Sequence, residues 1–112
     1  MTEIIEKVYV GEKEVESKID TGADISMFSE EILLLEGKHV GRRPVVFGDK
    51  AKEERDFYVV DLKIRNCKIP LVTVVAGNKN ILGRDILERS KAKIDEEKGI
   101  IDFPECPGII EM

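Results

Sequence analysis

Apolar residues along this chain recur mostly at every second position, a spacing that predicts strands. Val8 and Val10 alternate with Lys7 and Tyr9, and Gly11-Glu12-Lys13 reads as a turn. Val15, Ser17 and Ile19 then share one face against Glu16, Lys18 and Asp20, so an N-terminal hairpin is predicted to end at Asp20. From Arg43 the pattern is extended again. Pro44-Val45-Val46-Phe47 leads through the polar turn Gly48-Asp49-Lys50 to a return strand, 57–64, on which Tyr58, Val60, Leu62 and Ile64 share a face. After a turn at Arg65-Asn66, the run 69–76 is apolar on both faces, as for a strand covered on each side. Pro70 belongs near its start or at an edge, because proline has no N–H to give a ladder.

Helical signals are short. Asp85 reads as the cap of a helix of about two turns, 86–91, and Ser29 offers another start before Glu30-Glu31. A last hairpin is predicted from Lys93-Ile94-Asp95 and Ile100-Ile101-Asp102-Phe103. Many short strands with one short helix predict a mainly β, barrel-like fold, one domain spanning 1–112.

Composition narrows the function. At 112 residues, 42% hydrophobic and 37% charged, the chain has the make-up of one globular domain. A net charge of -5 gives no one-signed basic face, so nucleic acid is not expected as a partner. No apolar run approaches the ~18 residues of a membrane span, and the N-terminus lacks the basic start and apolar run of a signal peptide. A cytoplasmic protein without a membrane partner is expected. One histidine, His39, argues against histidine-based zinc sites and Ser-His or Cys-His nucleophiles, and it reads as a loop residue. Cys67 and Cys106 form no CxxC pair and read as packing or idle thiols. No metal and no cofactor is expected, so chemistry falls to carboxylates, lysines or hydroxyls. Twelve lysines and fifteen glutamates, with no Gln or Trp, resemble a thermophile's composition.

The candidate chemistry is Asp20-Thr21-Gly22-Ala23-Asp24, directly after an extended apolar run. A carboxylate at a strand end is held by the turn that Thr21 and Gly22 make, since Gly permits close backbone approach and the Thr hydroxyl can bond a neighbouring backbone group. Such a triplet arises by chance in roughly one chain in fifty of this length, and Asp-x-Gly is also ordinary turn chemistry. A second element, Ile81-Leu82-Gly83-Arg84-Asp85 before a short helix, changes those odds.

With both elements in this order, the chain resembles the retropepsin-like aspartic proteases from about Val15 to Phe103. The ending Ala92-Lys93-Ile94-Asp95 through Gly99-Ile100-Ile101 is more similar to cellular members than to retroviral ones. The resemblance implies an all-β closed barrel with one short helix and a homodimeric endopeptidase. Asp20 matches the catalytic aspartate, and Thr21 the residue whose hydroxyl grips the partner's loop. Gly22 and Asp24 match contacts to the substrate backbone, and Ala23 completes the active-site support. Arg84 matches an arginine that pairs with Asp24 and steadies the dimer. Gly48-Asp49-Lys50-Ala51 corresponds to the flap tip over the substrate, and Ile81 to the pocket wall.

One Asp-Thr-Gly per chain means that a dyad needs a second copy, related by a two-fold axis. Which terminal segment, 93–103 or the tail around Ile109-Ile110, helps build the dimer sheet is open. Ala23 stands where two-lobed relatives carry Ser or Thr, so one hydrogen bond to the charged acid is lost and activity is expected to reach near-neutral pH. The sequence departs from the retroviral pattern at the flap, where Gly48 stands amid Lys50, Lys52, Glu53, Glu54 and Arg55. Ile25 replaces a second acidic residue, and Lys79 an apolar one. The charged flap keeps an alternative open: a non-catalytic homodimeric module that binds extended peptides on the same scaffold.

Overall fold

A computed structural model describes residues 3–46, 52–104 and Cys106. Residues 47–51, which include the expected flap tip Gly48-Asp49-Lys50-Ala51, and the tail with Ile109-Ile110 lie outside the described residues. The first hairpin pairs β1 (Ile5–Val10) with β2 (Lys13–Ile19), Val8 opposite Val15. Its loop is two residues long and starts with Gly11 at φ 61, the glycine-first pattern of a type II′ turn that matches strand twist. Val15, Ser17 and Ile19 all point inward, as their alternation predicts.

β3 (Met27–Ser29) leads into α1 (Glu30–Glu36), which buries Leu33 and leaves Leu34 and Leu35 exposed. Ser29 occupies the cap position without a side-chain cap bond; its backbone N–H instead donates to Asn80 Oδ1 at 3.0 Å. Next come β4 (Lys38–Val46), β5 (Lys52–Ile64), β6 (Cys67–Gly77), β7 (Ile81–Leu82) and α2 (Arg84–Arg89). A separate hairpin, β8 (Lys93–Asp95) with β9 (Ile100–Asp102), follows.

The main sheet runs β1-β2-β7-β3-β6-β5-β4, and β1 also pairs with β5. That second pairing closes six strands into a barrel and leaves β4 attached to β5 alone. The interior is filled by Val8, Val10, Phe28, Leu62, Ile64, Ile69, Val72, Val74 and Leu82, with Ile86 of α2 among them. No helix among the described residues is long and apolar enough to cross a membrane.

Three expectations are corrected. His39 lies in β4, not in a loop: this strand starts five residues before the predicted stretch, and β5 likewise extends back to Lys52. Strand β6 is covered on both sides only at Val74–Ala76; before that it alternates, and Leu71 is 66% exposed. Pro70 and Leu71 together oppose Asp61 in a bulge, where the Leu71 N–H donates to Asp61 Oδ1 at 2.9 Å and Leu71 adopts φ 55. Here β6 has β5 as its sole sheet neighbour, so the missing N–H of Pro70 breaks no ladder on the other side.

The cysteines are also not idle thiols. Cys67, at the start of β6, is bonded to Cys106 beyond β9, with Cα atoms 5.8 Å apart. Close approach of the two backbones makes this possible, a juxtaposition that no spacing in the sequence announces.

Candidate active site

The two sequence elements meet through a very short parallel pairing. Lys18 and Ile19 of β2 lie beside Ile81 and Leu82 of β7. The N–H groups of Lys18 and Asp20 donate to the carbonyls of Asn80 (2.9 Å) and Leu82 (3.0 Å). Asp20 is thus fixed at the point where β2 ends. The chain then turns: the Gly22 N–H donates to Asp20 Oδ1 at 3.0 Å, and the Ala23 N–H to the Asp20 carbonyl at 3.2 Å. One carboxylate oxygen is therefore oriented by the backbone of its own loop.

The loop is fastened to α2 by two side-chain links. Asp24 Oδ1 and Arg84 Nη2 stand 2.8 Å apart, as the resemblance implies, with side chains 83% and 56% exposed. A link the sequence reading missed lies beneath it. Ser26 is fully buried, and its hydroxyl donates to Asp85 Oδ1 at 2.8 Å while accepting the Gly83 N–H at 2.9 Å. The Ser26 N–H donates to Asp85 Oδ2 at 3.1 Å. Asp85 Oδ1 also accepts the Ile86 N–H at 2.8 Å, inside the first turn of α2, so Gly83 and not Asp85 holds the cap position. The signal available in the sequence was a serine between Ile25 and Met27 in an otherwise apolar stretch.

Gly83 is required by this closeness. A Cβ there would sit 2.8 Å from the Ala23 carbonyl oxygen and 2.9 Å from the Ile25 carbonyl carbon, both backbone atoms with little freedom to yield. The Arg84 N–H completes the junction by donating to the Ala23 carbonyl at 2.8 Å.

Asp20, Gly22, Ala23 and Asp24 border a cavity of about 610 Å³. Its other walls are Ile25, Met27, Val45, Val46, Val75 and Ile81, so an acid stands at the edge of a mainly apolar cleft. Thr21 is exposed beside it, and Lys79 is exposed as well. Gly48 and Asp49 lie outside the described residues, while β4 and β5 remain paired up to Val46 and Lys52. Among the described residues, no group of three or more His, Cys, Asp or Glu side chains is arranged to hold a metal ion.

A charged cluster braces the base of the β4–β5 arm. His39 Nε2 lies 2.9 Å from Asp56 Oδ1, and Arg42 Nη1 lies 2.9 Å from Asp56 Oδ2. The His39 ring meets Tyr58 edge-on at 5.2 Å. The hydrogen bond from His39, helped by the Arg42 charge, holds the Asp56 carboxyl below its ordinary value.

The chain matches no family model and no curated protein, so the functional reading rests on this geometry and on the two sequence elements.

Proposed function

We propose that the protein is a homodimeric aspartic endopeptidase of the retropepsin type, with Asp20 of each copy forming the catalytic pair. The observation that carries this reading is Asp20, oriented by the Gly22 N–H, at the edge of a mainly apolar cleft. Among the described residues the other acid lining that cleft, Asp24, is engaged by Arg84, so the partner carboxylate for Asp20 is taken to come from a second copy. Exposure of Thr21 and Gly22 next to it fits a loop that meets a second copy across a two-fold axis.

Two carboxylates brought that close share one proton. The charged member takes a proton from a water, whose oxygen attacks the peptide carbonyl carbon, and the protonated member gives its proton to the carbonyl oxygen, forming a tetrahedral diol. As the diol collapses, one hydroxyl gives its proton to the charged carboxylate, the C–N bond breaks and the nitrogen takes the proton of the other carboxyl, so the pair again shares one proton. An extended peptide between β4–β5 and the loop suits the cleft's apolar walls.

The test compares the native chain with Asp20→Asn on an unfolded polypeptide. Cleavage is expected to fall at least about 1000-fold in the variant, with folding unchanged. Equal cleavage by both rejects the reading, and tight binding without cleavage by either selects the peptide-binding alternative.

A further inference from the structure

The Cys67–Cys106 bond lies far from Asp20 in sequence and has no part in the proposed chemistry. Its two ends differ. Cys67 is 2% exposed, whereas Cys106 is only partly buried. A cavity of about 210 Å³ has both half-cystines in its wall, together with Arg65, Asn66 and Asp102. Structural disulfides are ordinarily shut inside apolar packing; this one borders a polar opening.

The same place carries a second fastening. Arg65, in the turn between β5 and β6, grips Glu6 of β1 with two nitrogens at 3.0 and 3.3 Å. Its Nη1 lies 3.7 Å from Asp102 of β9, and its guanidinium stands over the Phe103 ring at 5.7 Å. The end of the β8–β9 hairpin is therefore held to the barrel by contacts independent of the sulfur bond.

We propose that Cys67–Cys106 is a thiol–disulfide exchange site that small dithiols work while the protein stays folded. A dithiol thiolate enters the cavity and attacks Sγ of Cys106, the more accessible sulfur. A bond forms between the reductant's sulfur and Cys106 as the Cys67–Cys106 bond breaks, and its electron pair leaves on Cys67, which takes up a proton. The reductant's second thiol then closes on its own bound sulfur, releasing Cys106, which is protonated in turn. Two electrons and two protons pass to the protein, and the dithiol becomes a cyclic disulfide. Arg65 keeps β9 in place while Cys106 is untied from β6.

The experiment uses the full chain without denaturant, dithiothreitol as the probe, iodoacetamide to trap thiols and mass measurement to count them. Both cysteines are expected to become alkylated at a rate that rises about tenfold when the dithiol is raised tenfold, with the circular dichroism of the sheet retained. Oxidised glutathione should restore the bond. A rate that stays constant as dithiol rises, loss of the sheet signal together with the bond, or two free thiols in the air-oxidised protein would overturn the proposal.

Discussion

Two side-chain links join the loop 20–26 to the start of α2, and they differ in almost every physical respect. Asp24–Arg84 is an ion pair in solvent, at 2.8 Å, between side chains more exposed than buried. Water screens such a pair, and holding two long side chains still costs entropy, so its contribution is at most about 1 kcal/mol. Ser26–Asp85 is the opposite: a buried hydroxyl and N–H meet both oxygens of one carboxylate, and the hydroxyl serves Gly83 as well. Removing a partner there strands groups that water cannot reach. The pair conspicuous in the sequence is thus the weaker tie, and the tie that sets the loop's position is the one the sequence reading did not single out.

The largest effect is expected from Asp85→Ala, which leaves the Ser26 N–H without its acceptor and removes the acceptor of the Ser26 hydroxyl. Urea unfolding should show a loss of about 3 kcal/mol, and Ser26→Ala about 2 kcal/mol. A loss below that of the exposed pair would break the comparison. The double variant should lose less than the two single losses added together, since the groups share one network.

Arg84→Ala sharpens it from the other side. Its unfolding free energy should change by less than about 1 kcal/mol in the monomer. Any larger loss should appear only in self-association, measured by sedimentation equilibrium, where Arg84 has its proposed dimer-steadying role.

The smallest effect concerns Asp56. Its carboxyl is held below the ordinary value by His39 and then Arg42, so the folded state favours the ionised form more than the unfolded chain does. That stability is present above the unfolded value and is lost as pH falls from about 4 through the depressed folded value. The melting temperature of the native protein should therefore fall more between pH 5 and pH 2, on the order of a few degrees, than that of Asp56→Asn. Identical acid limbs would remove the cluster from any account of stability. The cluster is exposed, so the difference will be small.

The barrel was legible where one side of a strand faces the core. Val15, Ser17 and Ile19, or Val60, Leu62 and Ile64, alternate because only one face is buried there, and period two reports that directly. Lys38 to Arg42 escaped because β4 has one neighbour and largely exposed side chains, so nothing imposes alternation there. At the site, Asp20, Asp24 and Arg84 were legible from two short elements, and the fold brings those elements side by side. Ser26 with Asp85, and Cys67 with Cys106, were not: each pair joins positions 59 or 39 residues apart, and contact across that distance is decided by tertiary packing.

The single-neighbour attachment of β4 leaves a nine-residue strand with one row of backbone groups open to other molecules. Such an edge is a template for fibril growth unless something blunts it. Here Lys38, Arg42 and Arg43 place positive charge along it, Pro44 removes one donor, and the irregular register between His39 and Gly41 spoils its flatness. The features that hid this strand from pattern reading thus also guard the protein against unwanted sheet extension.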